Sequence, residues 1–180
     1  QKYSDYIKFS KGGVTVTGGE PLLQPKFLIA LFTELKKLGY HTALDTSGMF
    51  PLTPEVKQVL SLTDLVLLDI KHIDEMAHKD LTGHTNQKIL ELAKYLSDIQ
   101  KPVWIRHVLV PTINTDEKYL ERLHQFVAQL KNVERIEVLP YHTLGAYKWK
   151  ELGLGYPLEG IDLPTEKQLQ IANTILETGK

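Results

Sequence analysis

Five short apolar segments of this chain end in, or carry, residues that can bind or transform a small molecule. Gly18-Gly19-Glu20-Pro21 closes the first segment, Asp45-Thr46-Ser47-Gly48 the second and Asp69-Ile70-Lys71 the third. Arg106 and His107 interrupt the fourth, and Pro140-Tyr141-His142 closes the fifth. Carboxylates accept hydrogen bonds from ammonium and hydroxyl groups, while Lys and Arg pair with a carboxylate. Glycines let the main chain come close to a ligand. An ionisable residue in a buried strand is costly unless it is paired or bound to something. Polar residues at five consecutive segment ends therefore point to a binding or catalytic mouth.

Each member also has an ordinary explanation. Gly18-Gly19 suits a plain turn, and Asp45 suits the start of a turn through Thr46-Ser47-Gly48. Asp69 and Lys71, two apart on a strand, share a face and can form a structural pair. Arg106 can pair across strands with Asp69 or Glu137, because a buried arginine needs a carboxylate. His107 points the opposite way from Arg106 and reads as structural, and His142 reads equally as a loop residue. His41, His72, His78, His84 and His124 show no metal-ligand spacing, so a zinc site is not expected. Tyr147 and Trp149 read as anchors of a long loop rather than as a stacking platform. A further alternative makes Lys71 a Schiff-base lysine beside Asp45 and Asp69 in a hydrolase or aldolase.

The elements that must position these residues alternate. Gly13–Thr17, His41–Asp45, Leu65–Asp69, Val103–Val110 and Arg135–Leu139 are β-branched or continuously apolar, which suits parallel strands buried on both faces. Between them lie helical patterns. Phe27, Leu28, Leu31, Phe32, Leu35 and Leu38 share one face, with Gly39 as the stop. Thr53-Pro54, Asn86 and Thr115 are candidate helix starts, and Thr165 with Gln168 has capping-box form. The stretch with Tyr3 and Tyr6 reads as a helix entering the first strand, and residues 142–164 as a long loop. Strand–helix alternation, five times over, predicts an α/β fold with right-handed crossovers, either an open doubly wound sheet or part of a (β/α) barrel. A full eight-unit barrel takes about 250 residues, more than the 180 here. One domain over residues 1–180 is expected.

Composition narrows the chemistry further. There is no cysteine, the formal net charge is −1, and 42% of residues are hydrophobic. Disulfides, thiol nucleophiles and thiolate metal sites are excluded for these residues, and a broadly basic nucleic-acid surface is not expected. The longest apolar runs are too short to span a membrane, and the start lacks the apolar core of a signal peptide. These features predict a soluble, cytoplasmic chain with no nucleic-acid or membrane partner.

The ordered motifs resemble a known family. The run Gly12-Gly13-Val14-Thr15-Val16-Thr17-Gly18-Gly19-Glu20-Pro21-Leu22-Leu23 is similar to the Gly-Gly-Glu region of radical S-adenosylmethionine (SAM) enzymes. Leu44-Asp45-Thr46-Ser47-Gly48, Asp64–Lys71, Val103–Arg106 and Leu139-Pro140-Tyr141-His142 with Gly145 and Trp149 resemble the glycyl-radical-enzyme activases. The likeness runs from about Ser10 to the C-terminus. It implies a partial parallel (β/α) barrel with five βα units, the family's first strand missing. In that family a loop after the first strand carries a C-x-x-x-C-x-x-C triplet that holds a [4Fe-4S] cluster. The chain is therefore expected to be a piece lacking that loop, or else a cluster-free SAM- or ligand-binding barrel without radical chemistry. A sheet edge at Val14–Thr17 is then expected to promote self-association.

For the intact enzyme the resemblance implies reductive cleavage of SAM at the cluster. The resulting 5′-deoxyadenosyl radical takes a hydrogen atom from a glycine of pyruvate formate-lyase under anaerobic conditions. A flavodoxin- or ferredoxin-type protein supplies the electron. Carried over to this sequence, the cofactor-binding positions are Gly18, Gly19, Glu20, Asp45, Thr46, Asp69, Ile70, Lys71, Arg106 and His142. Asp45, Thr46 and Asp69 would also hold a monovalent cation beside SAM. No residue of this chain is assigned to catalysis itself.

Overall fold

The computed structural model describes residues 4–10 and 12–178. Five strands form one parallel sheet: β1 (Gly13–Val16), β2 (His41–Thr46), β3 (Leu65–Asp69), β4 (Val103–Leu109) and β5 (Val133–Pro140). The helices are α1 (Ser4–Phe9), α2 (Pro25–Lys37), α3 (Pro54–Leu62), α4 (Glu75–Thr82), α5 (Gln87–Asp98), α6 (Glu117–Val127), α7 (Ala146–Glu151) and α8 (Glu166–Ile175). The spatial order of the strands is their chain order, β1 to β5. Right-handed crossovers that all step the same way put their helices on one side of the sheet. That settles the alternative left open by the sequence in favour of the singly wound, open-barrel arrangement over the doubly wound one.

The burial pattern shows the consequence. Along β4, Val103, Ile105, His107 and Leu109 are buried, whereas Trp104, Arg106 and Val108 are only half-buried. β3 alternates likewise, with Val66 and Leu68 fully buried. The expectation of strands buried on both faces is thus corrected. One face packs against helices through Leu28, Phe32, Val59, Leu60, Leu92, Leu96, Leu120 and Leu123, and the other stays open. The strands read as apolar throughout because Leu65, Leu67 and Trp104 also line the open side.

Local signals account for most boundaries. Thr53 caps α3 through Val56 N, and Thr165 with Gln168 forms the expected capping box on α8. Gly39, with φ +75°, ends α2. The cap of α6 falls one residue later than expected, on Asp116, whose carboxylate accepts from Lys118 N at 3.0 Å. Asn86 precedes α5 but makes no side-chain cap; its amide donates instead to the carbonyls of His72 and Ile73. The α2 stripe is narrower than its spacing predicts, since Leu28 and Phe32 are buried while Phe27 and Leu38 are 59% and 64% exposed. The sequence pattern misses α4, because His78 is its only buried residue and it shows no apolar periodicity. It also misses α7, in the stretch expected to be loop. Tyr6 lies in a helix leading towards β1, as expected, whereas Tyr3 is outside the described residues.

Among the described residues, β1 pairs with β2 on one side and forms an edge of the sheet. No helix among them is long and apolar enough to cross a membrane.

Candidate functional site

Parallel strands deliver their C-terminal ends to one rim, where the loops converge. In the sheet register Asp45 lies beside Leu67, and Asp69 lies beside Arg106. Arg106 thus reaches both carboxylates. Its Nη2 contacts Asp45 Oδ1 and lies 2.9 Å from Asp69 Oδ1, and its Nε donates to the same Asp69 oxygen at 3.0 Å. Lys71 Nζ holds the other Asp69 oxygen at 2.6 Å, and the Thr17 hydroxyl donates to Asp45 Oδ2 at 3.0 Å. Two carboxylates therefore face two cations in a charge-balanced cluster, with Asp45, Asp69 and Arg106 side chains 17–19% exposed and Lys71 35%. Of the partners the sequence offers Arg106, the fold selects Asp69 and adds Asp45, whereas Glu137 pairs with Arg135 at 3.3 Å.

Glu20 sits differently. Its carboxylate accepts from Thr46 Oγ1 at 2.7 Å, Leu22 N at 3.1 Å, Ser47 N at 2.9 Å and Ser47 Oγ at 2.6 Å. It ties the Gly18-Gly19 turn to the end of β2. The Thr46 hydroxyl, buried, also accepts from Gly48 N at 3.0 Å. Gly48 adopts φ +73°, and a Cβ there would lie 2.8 Å from Leu68 Cδ1, so glycine is required at this corner. By contrast, Gly18 (φ +140°) and Gly19 have open space where a side chain would stand. Their main chain is accessible from the mouth.

Ile70 is buried in the core; its N–H donates to Arg106 O at 2.9 Å and its carbonyl accepts from His107 Nδ1 at 2.7 Å. His142 is exposed just beyond β5. His107 is structural, as its alternation predicts; burial pushes its imidazole down to about 4, with His72 and Lys71 adding to the shift. The structure thus brings Asp45, Asp69, Lys71 and Arg106 together, sets Gly18 and Gly19 at the same rim, and uses Glu20 and Thr46 as braces behind it. Among the described residues no group of three or more His, Asp or Glu side chains is disposed to hold a metal ion.

Sequence reasoning missed two residues. Thr17 orients Asp45, and its place directly before the glycine pair was the available signal. Buried Asn114 donates to Lys71 O at 3.1 Å and Val108 O at 2.8 Å, and accepts from Val110 N at 2.7 Å, joining the loops after β3 and β4. Nothing in its local sequence marks it. The expected aromatic anchoring of the loop is shared out otherwise. Tyr141 is buried and meets the Tyr156 hydroxyl at 2.8 Å, Trp149 packs 6.0 Å from the Tyr156 ring, and Tyr147 is 57% exposed.

Such a rim suits a ligand carrying both a cationic group and a carboxylate: the aspartates accept from the first, and Lys71 pairs with the second. Comparison with known proteins identifies the family. Residues 2–124 match the model of the radical SAM superfamily. The chain is 50% identical to the pyruvate formate-lyase-activating enzyme of Listeria monocytogenes over 98% of its own length and 73% of that protein's. It is 52% identical to the enzyme of the same name from Streptococcus mutans, over 93% of this chain and 65% of that one. A solved domain of pyruvate formate-lyase-activating enzyme from Bacteroides vulgatus superposes with a TM-score of 0.77 at 30% identity, covering 92% of this chain and 93% of that one. The chain belongs to the radical SAM superfamily and, within it, to the family of pyruvate formate-lyase-activating enzymes.

Proposed function

We propose that the rim formed by Gly18, Gly19, Asp45, Asp69, Lys71 and Arg106 binds SAM, as part of an enzyme that activates pyruvate formate-lyase by making a glycyl radical. The observation that carries this reading is the charge-balanced cluster. SAM combines a sulfonium, an ammonium, a carboxylate and a ribose diol, and the last three have complements at the rim. Asp45 and Asp69 accept from the ammonium and the ribose hydroxyls, Lys71 pairs with the carboxylate, and the open glycine turn offers carbonyls to the ammonium. His142, beyond β5, is placed for the nucleoside end. Glu20 acts through the turn it holds, and Ile70 through the backbone that carries Asp69 and Lys71.

In this family the bound cofactor supplies a carbon-centred radical that removes a hydrogen atom from a glycine of the partner protein. The 180 residues contain no cysteine, so none of them can hold the family's [4Fe-4S] cluster through a thiolate. What these residues do is bind, orient and shield SAM. A monovalent cation beside SAM would take its oxygens from Asp45, Asp69 and Thr46, whose hydroxyl donates to Glu20 and accepts from Gly48 N and so keeps one lone pair. Pyruvate formate-lyase as protein substrate, a flavodoxin- or ferredoxin-type electron donor, and a cytoplasmic location with no nucleic-acid or membrane partner complete the reading.

Isothermal titration of SAM into this chain tests the proposal. Saturable binding is expected, weakened about tenfold or more by Asp69→Asn, which leaves a hydrogen-bonding group but removes the charge. Binding indifferent to that substitution would sink the assignment of the rim. Immobilised pyruvate formate-lyase that fails to retain the chain would count against the named partner.

A further inference from the structure

A charge-balanced cluster cannot admit a ligand of net positive charge without losing one of its own cations. SAM carries a sulfonium and an ammonium against a single carboxylate. Of the two cations at the rim, Lys71 holds one oxygen of Asp69, whereas Arg106 holds Asp45 and Asp69 together. It is therefore Arg106 that stands where the cationic end of the ligand must go. An arginine 18% exposed cannot simply be left unpaired after displacement.

The sheet register supplies a second partner. Arg106 on β4 is flanked by Asp69 on β3 and by Glu137 on β5. Neighbouring strands stand about 4.8 Å apart and paired residues point to the same face, so a side-chain rotation carries the guanidinium from one to the other. Glu137 has little to lose in the exchange. Its pairing with Arg135 Nε is long at 3.3 Å, and Arg135 itself rests over the Trp104 ring, 5.1 Å from its centre. The Glu137 side chain is 24% exposed, hence desolvated enough for a new pair to matter.

We propose that Glu137 is the second seat of Arg106: a positioning residue that receives the guanidinium when SAM takes Asp45 and Asp69. The proposal rests on the reading of the rim as a SAM site. It makes Arg106 a built-in counter-ion that keeps the two aspartates neutralised in the free protein. Its reach, and the presence of Glu137 one strand away, determine how readily it leaves.

The test is a double-mutant cycle on SAM affinity by calorimetry, using this whole chain with Glu137→Gln, Arg106→Gln and both together. Glu137→Gln is expected to weaken SAM binding about threefold to tenfold, in the range of a single part-buried ion pair. In the Arg106→Gln background, whatever affinity that background itself retains, the same substitution is expected to change nothing. No effect of Glu137→Gln, or an equal loss in both backgrounds, overturns the proposal. Should Glu137→Gln fold poorly, the nitrogen-15 resonance of Arg106 Nε–H in the unsubstituted chain decides. A shift on saturation with SAM supports the switch, and an unmoved signal overturns it. If the unsubstituted chain takes up no SAM, the reading of the rim fails first and the proposal falls with it.

Discussion

Arg106 and His107 are neighbours in sequence and face opposite sides of β4, and the two sides solve the problem of buried polarity in opposite ways. On the open side Asp45, Asp69, Lys71 and Arg106 satisfy one another through charged side chains. On the helix side His107, His72, Asn86 and Asn114 bond mostly to main-chain groups: His107 to Ile70 O, Asn86 to His72 O and Ile73 O. His72 accepts from Asp74 N at Nδ1 and donates from Nε2 to Ile113 O, which fixes its neutral tautomer. Side-chain ion pairs can exchange partners, whereas side-chain bonds to a fixed backbone cannot do so without unfolding the loop. The open side can therefore exchange its pairings, and the closed side holds fast the loops that carry it.

If that contrast is right, damage should grow with commitment to the backbone. The largest effect is expected for Asn114→Leu, which strands Val110 N, Val108 O and Lys71 O together. A loss of about 3 kcal/mol in urea denaturation is expected, and a loss no larger than that of a surface substitution would break the contrast. Next comes pH. The folded pKa of His107 is held down to about 4, below its unfolded value of 6.5, mainly by burial. Its stabilising contribution is therefore full above pH 6.5 and is lost as pH falls from there towards 4. A decrease of about 2 kcal/mol between pH 7 and pH 5 follows. His72 is lowered in the same direction by burial and adds to the loss. The depressed carboxyls of Asp64 and Asp74 act only below about pH 4. Denaturation midpoints across that window check this, and His107→Gln should flatten the dependence.

The rim should be more forgiving. Arg106→Ala leaves two part-buried carboxylates facing each other, and about 1–2 kcal/mol is expected to be lost, less at high salt. A loss exceeding that of Asn114→Leu would reverse the comparison. Thr17→Val removes one exposed hydrogen bond to Asp45. It should cost about 0.5 kcal/mol at most and act mainly on ligand affinity, measurable by calorimetry.

Much of this was legible along the chain because it is local. Strand and helix order, the caps at Thr53 and Thr165, and the glycine at 39 depend on residues within a few positions of one another. Polar residues at successive strand ends are visible for the same reason. The helix start at Asn86 misled because its amide is drawn to the carbonyls of residues 72 and 73, 14 and 13 positions back. Helix α4 was hidden because a helix resting on the surface needs no apolar stripe. Glu20 was ambiguous since nothing local shows that Thr46 and Ser47, more than 25 positions on, close around it.

By itself, then, the sequence determined the repeating unit, the glycine corners and which residue types reach the rim, since dihedral preference and side-chain alternation act over a few residues. Only the tertiary structure decided who pairs with whom. Arg106 and Asp45 are 61 positions apart, and their contact exists because the registers of β2, β3 and β4 line up. Singly wound topology decided that one sheet face stays open, and with it that Arg106 has a carboxylate on either side while His107 has only the backbone.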